Sequence, residues 1–158
     1  MITELLLQTV IDAPIERCFD LARSIDLHVH SALFSREQAV DGITSGLIGA
    51  GQEVEWRARH FGLWLKMRVR ITAFNRPAYF QDAMVSGPFR YFRHDHNFQE
   101  REQSTLMVDR LEFQSPMPPI GSIVDAVVLT SYLRNFLEAR NRALQAIAES
   151  DQWRLYLK

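Results

Sequence analysis

From Gln38 to about Gln114 apolar and polar residues alternate with a period of two, and after Pro119 the apolar positions return every three or four residues. The first spacing sends every second side chain to one face of a strand, and the second builds one face of a helix. The central region therefore predicts strands near 37–42, 52–60, 63–73, 78–86, 89–99 and 104–114. Turn-rich breaks such as Gly42-Ile43-Thr44-Ser45-Gly46 and Gly49-Ala50-Gly51 separate them. Connections this short make hairpins, and hairpins make an antiparallel sheet with one face wet and one covered.

Ahead of this region, Glu4 to Ile11 is a short apolar run that predicts a seventh strand, closed by Asp12-Ala13-Pro14. Proline fits the first turn of a helix, where its missing N–H costs nothing. Ile15, Cys18, Phe19, Ala22 and Ile25 then recur at helical spacing, and a second short helix is expected over 27–34. Cys18 on that apolar face reads as core, with no basic neighbour on the face to activate it. Near the other end, Ser115-Pro116-Met117-Pro118-Pro119 excludes a helix interior. Beyond it one long helix is expected to about Glu149, with Ser122 placed to cap its start three residues before Asp125. Leu129, Leu133, Phe136, Leu137, Arg140, Leu144 and Ile147 form one stripe, long enough to cross a sheet. The fold class is α+β: a curved seven-stranded antiparallel sheet wrapped around a long C-terminal helix, with two short helices after the first strand. Residues 1–150 make a single domain, and 151–158, which carry Trp153 and Tyr156, form a tail suited to docking on a sheet edge or on a second copy in a homodimer.

Folding 52–60 onto 63–73 about Phe61-Gly62 sets Glu53 opposite Arg70 and Glu55 opposite Arg68. Opposite charges then face each other across the strands. Val54, Trp56 and Ala58 fall on the other face with Met67, Val69 and Ile71, so Lys66, Arg68 and Arg70 read as a solvated sheet face rather than a phosphate-binding stripe. In this register Arg57 lands opposite Lys66.

Composition narrows the function classes. The chain has 158 residues, 47% hydrophobic and 23% charged, within the range of an ordinary globular domain that buries roughly 70% of its unfolded surface. A formal charge of −1 gives no overall field to gather nucleic acid or anionic lipid. One cysteine excludes an internal disulfide and a multi-cysteine zinc cage, and fits a reducing, cytoplasmic compartment. The N-terminus has no basic region before its apolar run, so a signal peptide is not expected, and no segment reaches the roughly 20 apolar residues of a membrane span.

The chemistry concentrates in Gly87-Pro88-Phe89-Arg90-Tyr91-Phe92-Arg93-His94-Asp95-His96-Asn97-Phe98. In an extended strand Phe92, His94, His96 and Phe98 share a face. A hairpin pairing Gln99 with Ser104 sets His96 opposite Met107 and His94 opposite Asp109. Three uses compete for this group. Two same-face histidines about 7 Å apart can chelate a metal with Asp109 as third ligand. Asp109 can orient His94 for acid–base catalysis such as dehydration, cyclisation or isomerisation. The same side chains can be the polar end of an apolar ligand cavity, which needs few convergent polar groups among aromatics. The pocket is preferred, because His-x-His is a short signal, no fourth metal ligand is evident, and no motif places a nucleophile.

The stretch Gly87 to Phe98, followed by Thr105-Leu106-Met107-Val108-Asp109-Arg110-Leu111-Glu112-Phe113, Pro116 and a long helix carrying Arg140, resembles the SRPBCC superfamily of START and Bet v 1-like helix-grip proteins. Ile11-Asp12-Ala13-Pro14-Ile15-Glu16-Arg17-Cys18-Phe19 fits the same pattern, and the resemblance spans nearly the whole chain. More narrowly, it is similar to bacterial proteins of the polyketide cyclase/dehydrase and lipid transport type, matching at His94, His96, Phe98, Thr105, Met107 and Asp109. The resemblance implies a cavity under the C-terminal helix that takes a hydrophobic small molecule such as a lipid, a polyketide or a quinone. It carries no catalytic assignment and no cofactor. The expected lining is Trp56, Met67, Phe80, Met84, Phe92, Phe98, Met107, Leu133 and Phe136, with His94, His96 and Asp109 at the polar end. An interaction module working through the basic sheet face or the tail is the expectation of a different class.

Overall fold

The structure, a computed structural model, describes residues 1–116 and 122–158, with side chains from Ala126 onward in the second segment. Seven strands form one antiparallel sheet: β1 (Thr3–Ile11), β2 (Gln38–Gly42), β3 (Glu53–His60), β4 (Leu63–Asn75), β5 (Tyr79–Ser86), β6 (Tyr91–Arg101) and β7 (Ser104–Gln114). Their spatial order is β1-β7-β6-β5-β4-β3-β2, so every neighbour but β1 and β7 is joined by a hairpin, and β1 closes against the last strand. Helices α1 (Ile15–Ala22) and α2 (Ile25–Ser31) fill the connection from β1 to β2, and α3 (Ser122–Ala148) packs against β1, α1 and α2. The cap expected between Ser122 and Asp125 falls on side chains outside the described residues. Among the described residues no helix is long and apolar enough to cross a membrane.

The helix break falls earlier than the periodicity predicts. Ile25 belongs to α2, because Ser24 leaves the helical conformation and its side chain caps the next helix, accepting from the Leu27 amide at 3.2 Å. The second helix then ends at Ser31, and residues 33–35 form a separate 3-10 turn. Cys18 is fully buried, and burial raises its thiol pKa, as suits a core residue.

The β3–β4 register is the expected one, with Glu53 opposite Arg70, Glu55 opposite Arg68 and Arg57 opposite Lys66. The β6–β7 register differs. The turn is Glu102-Gln103, with Glu102 at φ +48°, so Arg101 pairs with Ser104 and β6 runs two residues later than expected. His96 therefore faces Asp109, Phe98 faces Met107 and His94 faces Leu111. A slip of two preserves which face each side chain takes, since the strand repeats every two residues.

The covered face holds two apolar clusters. One gathers Phe19, Val54, Trp56, Ile71, Phe80, Phe98, Met107, Leu144 and Ile147, with the rings of Phe74, Phe80 and Phe98 set edge-on to Phe19 at 5.3–5.4 Å. The other holds Leu5, Leu7, Leu111, Phe113 and Leu137. Along β7 the sequence passes from Met107 in the first cluster to Leu111 in the second, and Asp109 lies between them. His94 and His96 stand at the same level between Phe98 and Phe92 of β6. A polar band thus divides the core.

The tail folds back on this core. Residues 151–155 form a 3-10 helix, Trp153, Tyr156 and Leu157 pack on the first cluster, and the Arg17 guanidinium lies 4.4 Å over the Trp153 ring.

Candidate functional site

A cavity of about 320 Å³ opens between the sheet and α3 where the two clusters fail to merge. Its walls take Val54, Trp56 and Ile71 from one cluster and Leu111 and Leu137 from the other. Of the expected lining, Trp56, Met67, Phe80, Phe92, Leu133, Phe136, His94 and His96 border it. Four expected residues stand elsewhere. Phe98 and Met107 are 3% and 0% exposed and pack beneath the wall, on the side of Phe19. Asp109, also at 0%, sits behind the histidines. Met84 lies near the end of β5, where its sulfur meets Gly87. Strand parity places these residues on the covered face, but depth within that face depends on curvature, which parity does not carry.

Three strands and a helix converge on the polar floor. Asp109 accepts a hydrogen bond from His94 Nε2 at 2.9 Å and from Asn141 Nδ2 at 2.7 Å. Its Oδ1 also lies 3.2 Å from His96 Nδ1, in ion-pair contact but too poorly aligned for a hydrogen bond. His96 Nε2 donates to Asp82 Oδ1 at 2.9 Å, while its ring stacks on Phe80 with centroids 4.1 Å apart. The Arg140 guanidinium lies 3.8 Å from Asp109 and donates to the Ala22 carbonyl at 3.4 Å. Asp82 keeps 17% of its side chain accessible and borders the cavity with Arg140.

Asp82 and Asn141 were not singled out by sequence. For Asp82 the signal was present: it stands at period two between Phe80 and Met84, and β5 pairs it with His94. Asn141 is one position past Arg140 on the helix stripe, and its contact with Asp109 depends on how α3 lies across the sheet.

Electrostatics divides the two histidines. Burial pushes the His94 pKa down, and the neighbouring His96 pushes it further, against the pull of Asp109. Burial also opposes a charge on His96, but the Asp109 and Asp82 carboxylates against its two ring nitrogens outweigh it and raise the pKa. Two rings with centroids 3.8 Å apart do not readily carry two charges, so the proton goes to His96. Burial works against ionising Asp109, yet its bond with His94 and the adjacent His96 ring hold the carboxyl well below the usual range, and Asp82 is lowered by its bond with His96.

Donor atoms of Asp82, His94 and His96 lie within 4.8 Å of one another. On geometry, Asp82 replaces Asp109 in the metal set that was weighed with His94 and His96. Metal donors sit about 2.0–2.2 Å from a zinc ion. Here both Nε2 atoms are spent on carboxylates and Arg140 lies alongside, so the negative charge is already met by protein groups.

Comparison with solved structures gives matches along nearly the full length. The Zhui aromatase/cyclase from Streptomyces sp. R1128 aligns with a TM-score of 0.75 at 12% identity, covering 94% of each chain. A protein from Thermus thermophilus gives 0.72 at 16% identity, covering 92% of this chain and 99% of its own. The major latex-like protein 151 of Panax ginseng gives 0.67 at 16% identity, covering 94% of this chain and 99% of its own. The chain has the helix-grip fold. No family model matches the sequence, and no curated protein matches it significantly. At these identities the likeness establishes the helix-grip architecture and leaves the chemistry to the side chains.

Proposed function

We propose that the protein binds a hydrophobic or amphipathic small molecule, of the lipid, polyketide or quinone-like class, between the sheet and α3. The observation that carries this reading is the cavity itself: mostly apolar walls around a floor where Asp82, His94, His96 and Arg140 converge. Such a surface buries carbon and fixes orientation through a few polar contacts. Its volume, about 320 Å³, stands at the small end of the roughly 300–1,000 Å³ of ligand pockets, which suits a compact ring system or single chain better than a two-chain lipid. Arg140, which borders the cavity, offers a donor to a ligand carbonyl or carboxylate. Native mass spectrometry tests the reading. An organic mass that leaves on denaturation, or retention of an added lipophilic aryl ketone, is expected; a bare protein that also retains none of a panel of such ketones would refute it.

A second reading is a cyclase or dehydratase using His94 with Asp109. It is supported by the 2.9 Å contact that orients His94 at the cavity wall and by the burial that keeps this imidazole neutral and able to take a proton. The neighbour named an aromatase/cyclase is consistent with it. With a polyketide substrate, His94→Gln should abolish turnover while leaving most of the affinity if the residue is the base. A carrier has no turnover to lose, and the same change weakens binding only.

A further inference from the structure

A second polar group borders the cavity on its β3 side, away from the histidine floor. Glu37, just before β2, is 7% exposed; its Oε1 accepts from His28 Nε2 at 2.9 Å, and its Oε2 has no hydrogen-bond partner among the described residues. The His28 ring is fixed in turn by stacking on Trp56, with centroids 4.2 Å apart. Nearby, His60 Nδ1 is bonded to the Tyr132 hydroxyl, and the Glu37 charge reaches both. Glu37, His28, His60 and Tyr132 all border the cavity. A buried carboxylate oxygen without a partner is costly to leave unmade.

We propose that Glu37 is a second ligand-binding group, whose free Oε2 accepts a hydrogen bond from a hydroxyl or ammonium at the far end of the cavity ligand. This rests on the proposed ligand-binding reading and narrows it. The histidine floor lies on β5 and β6, whereas Trp56 beneath His28 lies on β3. Three strand spacings separate β3 from β6, roughly 14 Å along the sheet before curvature. Arg140 at one end offers a donor, and Glu37 at the other offers an acceptor. The matching ligand is elongated and apolar in the middle, with a carbonyl or carboxylate at one end and a donor at the other. A hydroxylated aromatic ketone has this pattern, and a plain fatty acid or hydrocarbon does not.

Three 2-acetonaphthones that differ only at position 6, carrying hydroxyl, methoxy or aminomethyl, test the assignment by equilibrium binding to the full chain. The wild type should prefer hydroxyl or aminomethyl over methoxy by about tenfold or more, as a hydrogen bond to a charged acceptor requires. Whichever of the two binds tighter distinguishes a hydroxyl from an ammonium source. Glu37→Gln should bring the preference to within about threefold while methoxy binding persists. Equal binding of all three by the wild type overturns the role of Glu37 and leaves the cavity reading standing, and this result needs no variant to fold. An undiminished preference in Glu37→Gln overturns it too, and reduces Glu37 to a structural partner of His28 visible only in the melting curve. Binding of none of the three compounds refutes both proposals.

Discussion

The two faces of the sheet use the same kinds of charged side chain to opposite ends. On the outer face Glu53 holds Arg70 and, at 3.2 Å, Arg68, which also meets Asp41 and lies 3.6 Å from Glu55. On the inner face Asp109 holds His94, His96, Arg140 and Asn141. The outer carboxylates have water as a standing alternative to every partner. Asp109 is completely buried and depends on its partners, as they depend on it. Charge in a β-protein therefore marks a candidate site only after strand parity and burial say which face carries it.

The largest effect should come from breaking the inner group at its centre. Asp109→Ala removes the carboxylate shared by His94, His96 and Arg140, and leaves Asp82, bonded to His96, as the carboxylate facing the buried cations. A loss of about 3–5 kcal/mol is expected in urea unfolding at neutral pH. A loss below about 1 kcal/mol would mean that Asp82 alone can neutralise the floor, and that the two faces differ less than their burial implies.

Next in size is the pH dependence, which belongs to the inner face. His96 binds its proton more tightly folded than unfolded, so its contribution is complete below pH 6.5 and is lost as pH rises through the raised folded value. His94 runs the other way: its contribution is complete above pH 6.5 and is lost as pH falls through the lowered value. Asp82 and Asp109 act further into acid, holding their contribution above pH 3.8 and losing it as pH falls through their depressed values. Stability should therefore decline on both sides of neutrality. His96→Gln should flatten the alkaline side, and shorten the acid side because both carboxylates lose a positive neighbour. Urea midpoints from about pH 2 to about pH 9 measure this, and an unchanged alkaline decline in the variant would place its origin outside the cluster.

Legibility followed the same division. Face assignment came from period two alone, and it placed His94, His96, Phe92 and Trp56 on the covered side because alternation is a property of the strand itself. Partner identity needed the turn, and Glu102-Gln103 gives no Asn-Gly or Asp-Gly signal to fix it. His94 nevertheless bonds to Asp109 across a diagonal, since the side chain spans the offset left by the two-residue slip. Glu37 was not singled out by sequence: it stands at the first position of the strand expected over 37–42, just ahead of β2, and its side chain is held by His28, whose ring stacks on Trp56.

The smallest effect is expected on the outer face, where the sequence reading was most complete. Glu53 lies opposite Arg70 as alternation and the Phe61-Gly62 turn require, and burial does little to oppose its ionisation, whereas Arg70 and Arg68 lower its pKa. Its partners stay hydrated when it is removed, because the Arg70 side chain remains 51% exposed and Arg68 keeps Asp41 and Glu55 within reach. Glu53→Ala should therefore give an unfolding curve that nearly overlays the wild type at physiological ionic strength, and raising the salt should remove what difference remains. The Asp109→Ala deficit should persist in the same salt, since screening ions do not reach a buried carboxylate. A salt-resistant deficit in Glu53→Ala would show the outer ladder acting as a cooperative network, and would remove the distinction between the faces on which the site assignment rests.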